Sequence, residues 1–165
     1  MFLWFNGILN HIFQNSEQKQ NVSEIQVLCS SIERGHEPVN IFFENNHFYQ
    51  TGPDKKDQFI GIKFFKIKIR PTAVCIRSAK GIRENSIYPL RAFIIVGRNE
   101  IETEIIQEFE YTESLRAGKE EIFFVNTEKY FDHIYVQQTG CSFCNPPQRI
   151  FAISKLEIHG LIELK

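Results

Sequence analysis

Two cysteines three positions apart, Cys141 and Cys144 in the stretch QQTGCSFCNPP, are the pair in this chain best spaced for metal or redox chemistry. A structural zinc ion takes four thiolate or imidazole ligands, and its strong sequence signal is two such closely spaced pairs. There is no second pair. Cys29 and Cys75 lie singly in apolar runs, where a thiol behaves as a small hydrophobe. A thioredoxin-like motif opens a helix, whereas here Asn145, Pro146 and Pro147 follow at once and turn the chain instead of coiling it. The pair is therefore expected to sit in a loop with a geometric job, its thiols reduced in an intracellular compartment, although an oxidising environment could join them.

The remaining candidates for chemistry are dispersed. His11, His36, His47, His133 and His159 fall in no H-x-H or H-E-x-x-H spacing, and no nucleophile elbow, phosphate-cradling glycine loop or dinucleotide fingerprint is present. Only three residues are aspartates, Asp54, Asp57 and Asp132, which leaves no acidic calcium loop of the EF-hand kind. Glu100, Glu102 and Glu104 alternate as residues on one face of a strand would, and a solvated face is the expected reading. No catalytic residue, cofactor or metal is expected. Lysine and arginine total 19 against 20 acidic residues, so no overall field would draw the chain to nucleic acid or anionic lipid.

The elements that carry these residues read as mostly β. Sixteen phenylalanines and many isoleucines suit half-buried pleated surfaces, and the 165 residues suffice for one domain with its own core. Candidate strands are SEIQVLCSS, QFIGIKFF, FKIKIR, AVCIRS, RAFIIVGR, TEIIQEFE, EIFFVN, HIYVQQT and KLEIHGLIEL. In one of them Phe65, Ile67 and Ile69 are predicted to face one way and Lys66 and Lys68 the other. Proline and glycine punctuate the runs, and Pro71 and Pro89 are expected at strand starts, where a missing N–H is tolerated. Many short strands without intervening helical patterns imply an antiparallel sandwich or barrel. The exception is the beginning, MFLWFNGILNHIFQNS, where Phe5, Ile8, Leu9 and Ile12 recur at helical spacing. That predicts a lead helix over 1–15 packed on the core, a linker over 16–22 and the sandwich over 23–165. The apolar run has neither the basic flank of a secretory signal nor the ~20 residues needed to cross a bilayer as a helix.

The order of segments carries a resemblance. Pro71, Thr72, Ile76, Arg77 and Ser78, then Pro89, Phe93, Gly97, Arg98 and Asn99, follow the pattern of a Pro-Thr strand leading to a Pro-x-x-Trp strand that ends in Gly-Ser-Asn. His133 to Gly140 match a Tyr-Ile-Arg-Ile-x-Gln-Thr-Gly strand, and Ile153 to Gly160 match a closing Leu-Ser-x-Leu-Glu-Ile-x-Gly strand. Over residues 23 to 162 the chain resembles the discoidin family, also called coagulation factor 5/8 type C domains, among the galactose-binding-like sandwiches. Its nearest likeness is to intracellular and protist-type members. Phe93 stands where that family usually has tryptophan.

The resemblance implies an all-β, jelly-roll antiparallel β-sandwich whose loops at one end meet ligands. The matching loops here place Phe43, His47, Arg83, Tyr88 and Phe143 as the residues expected to contact a partner. Tyrosine and arginine combine contact area with directed hydrogen bonds, which suits either a protein or a sugar. Thr139 and Gly140 are expected to shape the turn after their strand, the glycine through a positive φ. The function expected is a non-catalytic, cytoplasmic protein-binding or assembly module, including a cytoskeletal one; the alternative is a lectin-like carbohydrate-binding module.

Overall fold

The computed structural model describes residues 7–14, 24–42, 47–52, 56–80, 88–110, 112–142 and 149–165. Among the described residues nine strands, most of them alternating apolar and polar side chains, build two antiparallel sheets: β1 Ile25–Cys29, β2 Tyr49–Gln50, β3 Phe59–Phe64, β4 Ile67–Ser78, β5 Phe93–Arg98, β6 Thr103–Phe109, β7 Glu120–Phe124, β8 His133–Gln138 and β9 Ala152–Leu164. One sheet runs β1-β3-β8-β5-β6 and the other β2-β9-β4-β7. In β8 the residues Ile134 and Val136 are buried while His133, Tyr135 and Gln137 are half-exposed, the period-two signature of a strand packed on one face. Ile60, Ile62 and Phe64 of β3 and Val74 and Ile76 of β4, none of them exposed, meet in the core between the sheets. This is the all-β sandwich read from the sequence.

Phe93, at the position where tryptophan was the expected residue, is fully buried. Its ring lies 5.0 Å from those of Phe109 and Phe123, and the latter two are also 5.0 Å apart. Three phenylalanines thus fill one flank of the core, where β6 of one sheet comes over β7 of the other. Offset and edge-to-face rings at this spacing add packing energy beyond their buried area.

The expected lead helix is α1, Ile8–Gln14; Phe5 and the linker 16–22 lie outside the described residues. Ile8 and Leu9 are buried and Ile12 packs against them at the predicted spacing. What fixes the helix is a carboxylate on β9. Glu157 Oε1 accepts the N–H of Leu9 (2.7 Å) and Glu157 Oε2 that of Asn10 (2.8 Å), so two of the helix's orphan donors are satisfied. Gly7, at φ +86, lets the chain arrive: a Cβ there would lie 2.2 Å from the Glu157 side chain. Glu157 alternates with the inward Leu156 and Ile158, so α1 lies across the outer face of the four-stranded sheet.

Three local expectations are corrected. FKIKIR and AVCIRS are one strand, β4, which runs through Pro71 instead of starting there. The missing N–H is accommodated by a register shift against β9 between Pro71 and Ala73. Opposite it Gly160 is required, because a Cβ would lie 2.3 Å from the Arg70 carbonyl oxygen. Phe65 does not share a face with Ile67 and Ile69. It turns between β3 and β4, its N–H bonded to Glu24 O at 3.0 Å and its exposed ring under Lys63 Nζ at 5.3 Å. Gly140 is not among the described glycines with positive φ, and a Cβ there would meet only Ala92 Cβ at an ordinary 3.5 Å. The exit turn is held instead by the bond from Thr139 N to Ala92 O (3.1 Å).

Candidate recognition surface at the loop end

At one end of the sandwich the strands hand over to five connections: the segment after β1, the β2–β3 loop, the β4–β5 loop, the β6–β7 connection and the segment between β8 and β9. A largely buried belt of neutral polar side chains ties together the bases of the segment after β1, the β2–β3 loop and the β8–β9 segment. Gln58 is completely buried; its Oε1 accepts the hydroxyls of Ser30 (2.6 Å) and Ser31 (2.8 Å), and its Nε2 donates to Gly52 O (3.0 Å). Ser31 Oγ in turn accepts Gly52 N, and Tyr49 OH donates to Ser31 O (2.8 Å). Across the same end Gln138 N donates to Gln58 O (2.8 Å), Gln138 Nε2 to Ser142 Oγ (3.1 Å), and Ser142 Oγ to Ile150 O. Thr51 and Phe151 exchange bonds through Thr51 N to Phe151 O and Phe151 N to Thr51 Oγ1, both 3.2 Å. Satisfied networks of this kind are costly to break one member at a time, so the loop bases are rigid.

This belt was not singled out in the sequence, although it left a trace. Gln138 occupies the inward register of β8 after Ile134 and Val136, where the alternation calls for an apolar residue. A buried glutamine in that place implies partners.

Above the belt sit the groups that can meet a ligand. His36 stacks on Phe48 with ring centroids 4.2 Å apart and an angle of 20°. The pair is clamped from the backbone: Gln50 N donates to His36 O (3.3 Å) and Asn40 Nδ2 to Phe48 O (3.1 Å). His47, predicted as a contact residue, is exposed beside this pair in the chain. Ile32 and Val39, also in the segment between β1 and β2, are exposed apolar residues.

Tyr88, likewise predicted, reaches the same end from the β4–β5 loop. Its carbonyl accepts Ala152 N (3.2 Å), while Ala152 pairs in register with Gln50 of β2. The start of β9 therefore lies between the His47 segment and Tyr88. Tyr88 holds φ +43, a left-handed backbone that costs a bulky residue about 1–3 kcal/mol and tends to persist at functional positions. Its side chain is half-buried. Phe43, Arg83 and Phe143 lie outside the described residues, so of the predicted contacts His47 and Tyr88 can be placed, on either side of the start of β9.

The described cysteines, Cys29, Cys75 and Cys141, do not gather into a centre. Cys29 faces the core beside Ile60 and burial raises its pKa. Cys75 donates to Glu120 Oε1 at 3.1 Å, and burial first, then that carboxylate, push the thiol up to about 12. A thiol so protonated is a poor nucleophile at neutral pH. Cys141 is half-buried at the loop end and Cys144 lies outside the described residues. Among the described residues no group of three or more His, Cys, Asp or Glu side chains could hold a metal ion.

The charged pairs most suggestive of chemistry lie at the opposite end. Asp132 Oδ1 is 2.6 Å from His133 Nδ1 and Asp132 Oδ2 accepts Lys165 Nζ (2.9 Å), which also donates to Phe64 O (3.0 Å). Burial alone would raise the Asp132 carboxyl, but Lys165 and His133 hold it below its ordinary value. This arrangement fastens Lys165, which follows β9, to Asp132 just before β8 and to the end of β3. Glu102 and Glu104 converge on Lys129 at 3.0 and 2.5 Å, which makes them an ion-pair clasp, while Glu100 lies in the β5–β6 turn and not on a strand face. Among the described residues no helix is long and apolar enough to cross a membrane.

No family model and no curated protein matches the chain. Solved structures do. A family 32 carbohydrate-binding module from C. perfringens NanJ in complex with galactose has TM-score 0.65 at 13% identity, covering 86% of this chain and 95% of that one. The CpGH89CBM32-5 module from Clostridium perfringens, in complex with GalNAc-β-1,3-galactose, has TM-score 0.63 at 9% identity, covering 81% and 94%. The lectin binding domain of Lectinolysin, in a histidine-mutant form complexed with Lewis b, has TM-score 0.61 at 14% identity, covering 82% and 92%. At these identities the likeness establishes architecture alone: the chain shares the antiparallel β-sandwich fold of these modules.

Proposed function

We propose that this chain is a non-catalytic recognition module that binds a carbohydrate at its loop end. The observation that carries the reading is Tyr88, a strained aromatic held at the rim of a rigid polar belt, across the start of β9 from the segment carrying His36, His47 and Phe48. Aromatic faces stack on the apolar face of a sugar ring, and nearby polar groups orient its hydroxyls. Support also comes from the structurally similar modules, whose complexes contain galactose, GalNAc-β-1,3-galactose and Lewis b.

Isothermal titration with galactose and with GalNAc-β-1,3-galactose tests it, comparing wild type with Tyr88→Gly. Glycine accepts the left-handed backbone, so the variant removes the ring without loss of fold. Affinity is expected to fall about tenfold or more while the melting temperature holds or rises. Unchanged affinity in the variant, or no heat with either sugar and no binding across a wider glycan array, would remove this reading.

A cytoplasmic protein-binding role, in a cytoskeletal or other assembly, is the second reading. One observation favours it: exposed Ile122 and Phe124 on an edge strand at the sandwich flank.

A further inference from the structure

The flank formed by β6 and β7 combines three properties that the loop end does not explain. The first is an open ladder. β7 is the last strand of its sheet, and its bonds to β4 are bracketed by Ser78 N to Lys119 O (3.4 Å) and Val125 N to Thr72 O (3.0 Å). In an antiparallel pair the bonding residues alternate, so the N–H and C=O groups of Glu120, Ile122 and Phe124 point away from β4, toward the edge.

The second is unprotected apolar surface. Edge strands are ordinarily blunted by charge, proline or a covering loop, yet Ile122 is 49% and Phe124 77% exposed, side by side on the outer face. On the neighbouring edge strand β6, Ile105 is 59% exposed but alternates with buried Ile106 and so faces out of the other sheet, which leaves Ile122 and Phe124 as the apolar surface of the β7 edge.

The third is charge. Residues 100–121 contain eight glutamates against Arg116 and Lys119, in a chain whose formal net charge is only −1. Lys129 answers Glu102 and Glu104, Arg116 answers Glu113, and Lys155 answers Glu120. Glu100, Glu108, Glu110 and Glu121 have no ion-pair partner among the described residues.

We propose that the open edge of β7 accepts an extended, basic segment of a partner protein as a fifth strand of the four-stranded sheet. The edge supplies main-chain bonds in ladder register, Ile122 and Phe124 supply apolar contact to alternate side chains, and the glutamates select lysine or arginine between them. Charge also decides between this occupant and a second copy of the chain. Antiparallel self-pairing about Ile122 would set Glu120 of each copy against Phe124 of the other and Glu121 against Phe123, which leaves the carboxylates without a cation, whereas the lysine or arginine of a basic segment supplies one.

The test uses the whole chain and a labelled peptide of about seven residues alternating lysine and valine, with a glutamate–valine peptide as its opposite. Fluorescence anisotropy should show binding of the basic peptide only, weakened by salt. Affinity should fall about tenfold or more in Ile122→Lys/Phe124→Lys, whose exposed positions leave folding intact by circular dichroism. Saturating peptide should slow amide hydrogen exchange at Glu120, Ile122 and Phe124. Tyr88→Gly should leave all of this unchanged, which separates the proposal from the sugar reading. It is overturned by equal binding of the acidic peptide, by no binding, by a double variant that binds as well as wild type, or by exchange protection at other amides. Concentration-dependent dimers with these amides protected in the absence of peptide would overturn it in favour of a second copy.

Discussion

Single side chains decide how rigidly the outer face of one sheet and the loop end of this sandwich are held. Glu157 is buried on the outer face of β9 yet accepts the N–H groups of Leu9, Asn10 and Ile158. Burial, acting against those bonds, raises its pKa above the ordinary 4.5. A raised folded-state pKa means proton uptake on folding, so this group's stabilisation is complete below 4.5 and fades as the pH rises through its folded value. Glu157→Gln keeps an acceptor and removes that dependence; denaturant melts from pH 5 to 8 should show a flatter stability profile than wild type. Glu157→Ala should lose about 3 kcal/mol, because buried N–H donors are left without partners. Gln58 plays the corresponding role at the loop end. Gln58→Leu, which strands the hydroxyls of Ser30 and Ser31, should cost about 2–4 kcal/mol and speed hydrogen exchange at Gly52 N.

At the level of elements, the alternation of apolar residues made eight of the nine strands readable before any coordinates, with β4 read as two. The strand it hid is β2, because Tyr49–Gln50 is too short to show a period. Pro71 misled for a related reason: a proline reads locally as a boundary, whereas its tolerance here depends on Gly160 in a strand far along the chain. The lead helix was legible in the spacing of Ile8, Leu9 and Ile12, but its anchor was not, since Glu157 looks like any solvated strand glutamate. The candidate site was legible only in part. Loop position pointed to His47 and Tyr88, while the belt beneath them and the left-handed Tyr88 backbone depend on contacts between distant segments. Within the elements, the Phe93–Phe109–Phe123 cluster gives a clean packing test. Phe123→Ala should cost about 3–5 kcal/mol by thermal or denaturant unfolding, as a cavity opens between the sheets.

For the whole molecule, the two sheets form a stiff block with different business at its ends and flank. The end carrying Asp132 is a fastening. Its lowered carboxyl pKa stabilises the fold above the ordinary 3.8 and releases that stabilisation as the pH falls through the folded value. Asp132→Asn should therefore cost about 2 kcal/mol near neutrality and flatten the acid limb of the stability curve. In the function proposed above, the opposite end is the one that meets a sugar. Chemical-shift mapping of the full chain with GalNAc-β-1,3-galactose tests that division most directly. The account predicts perturbations concentrated in residues 32–48, 79–91 and 139–150, with the sheet faces and the Asp132 end silent. Perturbations centred on a sheet face or around Asp132 would contradict it.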